Sequence, residues 1–412
     1  MTLRCLVLTL AALAPSWPIQ AHDWPQFLGP GGQGRTRAKN LPLTWSEDSP
    51  NIAWKVDISG LGWSSPVVQG EQVWLTTADE EGPALRAICV DAKTGQVLHN
   101  LIVFERPASS RIHSKNSFAS PTPIVAGDRV FVHFGAYGTA CLLAPSGQEP
   151  RIVWRKQLSY NQVHGPGGSP LLYNGLLIIN CDGSDVAYVI ALDAQTGEER
   201  WCAERPENSG NKFAFCTPAV VEDGGRVQVV SPGAGCVVSY DPQTGRELWS
   251  VDYPGGYSVV PRPAYGQGLV FLSSGYERPT LYAIKINGQG NVTESHVAWT
   301  LNRNAPHNPS PLLVDNELYV VSDNGVAMCL DAQSGKIHWQ RRLGGNFSAS
   351  PVYGDGKIYF LNETGVATVI APGKEYQQLA TNTLHGRTLA TPALIDGALF
   401  LRTDRRLYRT HP

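Results

Sequence analysis

Ser65-Pro66-Val67-Val68 opens a phrase that returns seven more times along the chain: a short residue, a proline, two or three apolar residues, a Gly/Asp turn and a second apolar run. The later copies begin at Thr122-Pro123, Ser169-Pro170, Thr217-Pro218, Arg262-Pro263, Ser310-Pro311, Ser350-Pro351 and Thr391-Pro392. Their prolines follow one another at 57, 47, 48, 45, 48, 40 and 41 residues. Self-similarity at a fixed period marks a repeat architecture, and this period is the length of one four-stranded propeller blade.

A second phrase lies inside the same period, a D-x-x-[TS]-G turn followed four residues later by tryptophan. It runs from Asp193 to Trp201, Asp241 to Trp249 and Asp331 to Trp339. Partial copies lead from Asp91 to His99 and from Ser146-Gly147 to Trp154, and Trp299 ends a longer one. Gly supplies positive φ, the Asp and Thr side chains bond the turn backbone, and the indole fills a gap between neighbouring sheets. Cys89, Cys141 and Cys329 share one place in the repeat, where other blades have Ala191 and Ser239. They read as small buried strand residues.

The last blade ends after two runs, Ala398 to Arg402 and Arg406 to Thr410, without a Trp strand of its own. Asn51-Ile52-Ala53-Trp54-Lys55 is a Trp strand with no inner strand before it, so it is expected to complete the last blade and remove the open sheet edge. The predicted fold is all-β: an eight-bladed β-propeller with tryptophan-docked four-stranded blades over residues 51–412, closed by the N-terminal strand. Residues 22–50 form a lead-in segment. Its stretch Gly29 to Gly34 follows no strand and opens no helix, and is expected to be flexible and not a phosphate loop.

Composition agrees, with 42 Gly, 30 Pro and only 17% charged residues, as suits a turn-rich chain with few helices. A formal charge of −2 steers nothing to nucleic acid or anionic membranes. Residues 1–21 read as a cleaved secretory signal, with Arg4 before an apolar run too short to span a membrane. The expected product is a monomer, free in the periplasm or outside the cell, with no transmembrane segment. Cys5 precedes the apolar run, which argues against a lipid anchor. A disulfide among Cys181, Cys202, Cys216 and Cys236 stays open, and no CxxC or adjacent Cys pair offers a thiol metal or haem site.

Function on a propeller is built on the rim loops. The between-blade loops carry His113, Lys115, His164, Arg262, His307, His385 and Arg387, and their tips are almost free of carboxylates. The loops joining the middle strands of each blade carry the acids, among them Asp182, Asp323 and Glu363. Together these residues are the candidate ligand-binding set, suited to a polar or anionic ligand if both loop sets converge. A histidine metal site needs three side chains close to one point, and loops this far apart in sequence cannot be placed that well, so no metal site is expected. Trp63, Phe213, Tyr257 and Phe347 on the between-blade loops are candidate partner contacts.

The D-x-x-T-G-x-x-x-W phrase with the Ser-Pro strand resembles the quinoprotein-type repeat of pyrroloquinoline quinone (PQQ) dehydrogenases and of the outer-membrane assembly factor BamB. Trp24-Pro25-Gln26-Phe27-Leu28-Gly29-Pro30 and Leu41-Pro42-Leu43-Thr44-Trp45 are similar to the opening of secreted bacterial PQQ-repeat proteins. The resemblance implies the propeller. It leaves activity open, because enzymes and non-enzymes share this repeat. The eight-bladed alcohol dehydrogenases cover their cofactor with a vicinal disulfide, which has no counterpart here. The reading is therefore a secreted, non-catalytic binding or assembly module for a protein or a small polar ligand, with no cofactor. The alternatives are a PQQ- and Ca²⁺-dependent dehydrogenase, with Lys115, Arg262 or Arg387 on the cofactor and Asp182, Asp323 or Glu363 as Ca²⁺ ligand or base, and a carbohydrate- or peptide-binding ring.

Overall fold

Proline has no N–H to give to a sheet neighbour and holds the residue before it extended, so each Pro-led phrase starts the innermost strand of a sheet. The computed structural model describes residues 23–108, 110–206, 209–253 and 255–412; the signal-peptide reading of residues 1–21 lies outside them. In the first blade Val67–Gln69, Gln72–Ala78, Ala84–Asp91 and Val97–Glu105 pair antiparallel in chain order. The same order recurs over residues 124–156, 171–204, 219–252, 264–301, 312–342 and 352–383. The eighth sheet takes Ala393–Ile395, Ala398–Arg402 and Arg406–Thr410, and its fourth strand is Ile52–Asp57, with Lys55 opposite Tyr408 and Val56 opposite Leu407. The chain is an eight-bladed propeller closed by its N-terminal strand, as the repeat count predicts.

The turn and the tryptophan of the second phrase explain each other across the blade junctions. In the turn Asp193–Gly197, Asp193 Oδ1 accepts the N–H groups of Gln195 and Thr196 at 2.8 and 3.0 Å, and Gly197 takes φ +75°. Trp154 of the preceding blade lies on that turn, its indole N–H donating to the Ala194 carbonyl at 3.2 Å. A Cβ on Gly197 would lie 2.7 Å from the Trp154 ring. Trp54 on Gly95, Trp201 on Gly245 and Trp299 on Gly335 repeat the arrangement. Trp54 thus docks the N-terminal strand's blade onto the first. The small strand residue noted in the sequence stands directly opposite the Trp: Cys141 faces Trp154, Ala191 faces Trp201 and Cys329 faces Trp339.

Trp249 departs from this scheme. Its indole donates to Gln228 of its own blade at 2.6 Å, and Gly290–Asn291, inserted in the next blade, pairs parallel beside it. The seven cysteines among the described residues are all unpaired, so the disulfide left open above does not form. No helix among them is long and apolar enough to cross a membrane.

The stretch from Gly29 to Gly34 is a correction to the flexible lead-in. The segment is strapped across the ring: Trp24 exchanges two 2.8 Å backbone hydrogen bonds with Val68, and the Pro25 carbonyl accepts Val125 N–H at 2.8 Å. Further on, Gly34 accepts Tyr353 N–H at 2.7 Å, and Trp45 N–H donates to Asn382 Oδ1 at 2.8 Å. Here glycine provides close approach and positive φ, not freedom. Gly29 and Gly32 both have φ +66°, and a Cβ would lie 2.5 Å from Trp24 in the first case and 2.2 Å from the Arg262 guanidinium in the second.

Candidate functional site

The Ser or Thr before each proline has a role that its recurrence alone does not disclose. Ser65 N–H donates to Thr122 Oγ1, Thr122 N–H to Ser169 Oγ and Ser169 N–H to Thr217 Oγ1, each at 2.9 Å. At the next blade the relay resumes from Arg262 N–H through the hydroxyls of Ser310 and Ser350 to Thr391 Oγ1, each step at 3.0 Å. Thr391 N–H then donates to Ser65 Oγ at 3.1 Å and closes the circle. The relay breaks only at Arg262, which has no hydroxyl; there the Cys216 thiol donates to the Pro261 carbonyl at 3.0 Å.

Inside this ring lies a funnel-shaped cavity of about 770 Å³, with Phe27 of the strap and six of the relay residues among its lining groups. One wall is a continuous row of rings. His113 and His164 centroids lie 5.2 Å apart, His164 and Phe213 5.5 Å, Phe213 and Tyr257 5.4 Å, Tyr257 and Tyr276 5.8 Å, and Tyr276 and His307 5.6 Å. Four of these five contacts are edge-to-face and the last is tilted, geometries that suit ring quadrupoles. Burial, together with the neighbouring His113, holds the His164 imidazole below its usual pKa. On the other side Trp63 carries the Arg387 guanidinium 5.5 Å from its ring centroid.

The two loop sets do converge on one mouth. Lys115 reaches Glu363 at 3.2 Å, and Glu363 also accepts the Ser348 hydroxyl at 2.7 Å. Asp323 accepts His307 N–H at 2.6 Å, and the side-chain amide and N–H of Asn308. His113, Lys115, His164, His307 and Asp323 line the cavity, with Glu363 bonded to its wall.

Four of the sequence candidates lie elsewhere. Asp182 is buried between blades, where Arg205 Nε and Nη2 donate to its two oxygens at 2.6 and 3.2 Å. Arg262 is 1% exposed, with Nη1 donating to the Phe27 carbonyl at 2.7 Å. His385 is held through its N–H by Glu47 Oε2 at 3.1 Å, and Arg387 reaches Ser114 O at 3.4 Å behind Trp63. Trp63 and Phe347, named as candidate partner contacts, are buried; Trp63 lines the funnel and Phe347 packs between blades.

Sequence reasoning missed Phe27, Phe215, the hydroxyl ring and Tyr276, which is 53% exposed at the funnel mouth. The hydroxyl ring carried a signal in the recurring Ser or Thr before each proline, and Tyr276 one as the neighbour of the acidic loop residue Glu277. Among the described residues there is no group of three or more His, Cys, Asp or Glu side chains that could hold a metal ion.

The family model described as outer membrane protein assembly factor BamB, a PQQ-repeat model, matches residues 38–150, 110–340 and 293–408. The chain belongs to the BamB-like PQQ-repeat family. It is 26% identical over 197 residues to outer membrane protein assembly factor BamB of Yersinia pestis, covering 46% of each chain. It is also 28% identical over 177 residues to methanol dehydrogenase [cytochrome c] subunit 1 of Paracoccus denitrificans, covering 35% of this chain and 26% of that one. Each match thus spans less than half of the relative's length. Among solved structures, a europium-containing methanol dehydrogenase superposes with TM-score 0.69 at 10% identity, covering 95% of this chain and 98% of that one. At that identity the likeness describes the fold, and the relatives include proteins named as an assembly factor and as a dehydrogenase.

Proposed function

We propose that this chain is an exported, non-catalytic binding module that seats a small polar ligand, or a side chain offered by a protein partner, in the aromatic-walled funnel. One observation carries the reading: the funnel's two carboxylates are engaged by donors of its own rim. A general base or a Ca²⁺ site needs carboxylate oxygens free to accept a proton or to ligate. Both oxygens of Asp323 accept from its own rim, and Glu363 Oε1 accepts from Lys115 and Ser348, which leaves Glu363 Oε2 with no donor among the described residues, while Asp182 belongs to an ion pair outside the funnel. A Ca²⁺ site takes several oxygen ligands, which this set does not offer, so it does not fit PQQ with Ca²⁺. The BamB relatives are named for assembly and not for a reaction, which supports a partner-binding role for the same surface.

The test is a thermal-shift titration with PQQ, with and without Ca²⁺, beside a panel of methyl glycosides and N-acetyl amino acids and their amides, with dye-linked dehydrogenase activity measured in parallel. A ligand that binds the native ring raises its apparent stability by mass action. The expected result is saturable stabilisation by a panel member, reduced in Phe213→Ala, with no turnover. A Ca²⁺-dependent shift with PQQ accompanied by turnover overturns the reading.

A further inference from the structure

The hydroxyl ring at the base of the funnel has hydrogen-bonding capacity left over. A hydroxyl carries one donor and two acceptor sites, and its hydrogen rotates to suit. Each of the seven ring hydroxyls accepts the N–H of the blade before it, and none donates to any protein group among the described residues. All seven side chains are buried, and six line the cavity. Each hydroxyl therefore keeps its donor and one acceptor site, and the base presents a circle of free O–H donors.

A second observation concerns charge. Arg262 and Arg402 are 1% and 2% exposed, and among the described residues neither has a carboxylate partner. Arg262 stands in the ring sequence itself. Arg402 Nη1 donates to Ser64 O at 3.0 Å and Ser64 Oγ at 2.6 Å, one residue from the ring member Ser65. Burial lowers their pKa to about 10 and about 9, which leaves both protonated at neutral pH. A buried charge without a partner is costly, and it is felt strongly in a low-dielectric interior. Water alone would satisfy the hydroxyls but would not supply the missing negative charge.

Resting on the reading of the funnel as a binding site, we infer that its base is an oxyanion-binding ring, recognising a carboxylate or other oxyanion whose apolar or aromatic body lies against the row from His164 to Tyr276. The hydroxyls contact the oxyanion, and the two arginines act through their field. A polyol would satisfy the hydroxyls as water would, but it would not supply the negative charge that the two arginines lack.

N-acetylphenylalanine and its amide share a body and differ in the oxyanion, so titrating both against the wild-type protein at ionic strength balanced with KCl isolates the inference. Sulfate serves as a bare oxyanion and methyl glucoside as a polyol. The acid is expected to bind at least about tenfold more tightly than the amide, a difference of about 1.4 kcal/mol. Stabilisation by sulfate as well assigns the site to free oxyanions; the acid alone assigns it to oxyanions on an apolar body. Arg402→Gln keeps a donor for Ser64 and removes the charge, so it should shrink the acid's advantage and leave amide binding unchanged. Equal binding of acid and amide, or tighter binding of the glucoside, overturns the oxyanion ring while leaving the funnel a binding site. An acid advantage undiminished in Arg402→Gln, or no binding by acid and sulfate alike, overturns it too, and the wider panel then decides the funnel itself.

Discussion

Arg262 Nη1 donates to the carbonyl of Phe27 at 2.7 Å, so the one blade-leading residue that is neither Ser nor Thr is also the residue that fastens the N-terminal strap to the ring. The same guanidinium occupies the space beside Gly32 where a side chain would otherwise project. A break in the hydroxyl relay is thereby exchanged for a clamp, and Phe27 is held in the lining of the funnel.

Arg262→Ser restores a hydroxyl at the broken junction and removes an unpaired buried charge, but it loses the clamp. The ring is expected to keep its melting temperature, since a regained hydrogen bond contributes only about 1 kcal/mol. Backbone amides from Phe27 to Gly34 should exchange faster. Hydrogen exchange read by mass spectrometry decides it: unchanged protection of this stretch would mean that the strap is held without Arg262.

The tryptophan docking can be separated from the turn conformation with two glycines of nearly equal φ. Gly245 has φ +71° and a Cβ there would lie 2.5 Å from Trp201, whereas Gly147 has φ +73° and open space around it. Both Gly→Ala changes bear a left-handed backbone cost of about 1–2 kcal/mol. Gly245→Ala should lose about 2–4 kcal/mol in all, because the indole must also move. Equal losses in chemical denaturation would show that the indole yields without cost.

His133 is fully buried with Nδ1 2.7 Å from Thr139 Oγ1, and burial lowers its pKa from 6.5 to about 3. The folded ring therefore keeps it neutral, while the unfolded chain protonates it at the ordinary value. Above about pH 6.5 the residue has no effect on the pH dependence; below that, unfolding takes up a proton and stability falls by about 1.4 kcal/mol per pH unit toward pH 3. His133→Gln should flatten this acid limb. Parallel curves of melting temperature against pH for both proteins would refute the assignment.

Removing residues 22–60 takes away the strand Ile52–Asp57 and leaves Arg406–Thr410 as an open edge in the last blade. An unpaired strand edge invites pairing with another chain. The truncated protein should associate and melt at lower temperature. A monomer with unchanged melting temperature, by light scattering after gel filtration, would mean that the ring closes without the N-terminal strand.

Blade number, the docking tryptophans and the N-terminal closure were all legible in the chain because a propeller repeats one local unit. The Gly of each turn, the Trp and the small residue opposite it stand at nearly constant sequence offsets, and their contacts recur with the period. The site was legible only in part. Lys115 and Glu363 are 248 residues apart and meet because the ring returns on itself. Asp182 and Asp323 look alike as acids of mid-blade loops, yet Arg205 buries the first in an ion pair while the second lines the funnel. The Ser and Thr before each proline were plain in the sequence, but each hydroxyl takes its meaning from an N–H one blade away, 40 to 57 residues distant along the ring and 326 where it closes. Local periodicity thus determines the architecture, whereas the funnel is made by contacts between blades, and only the closed ring decides which side chains share its interior.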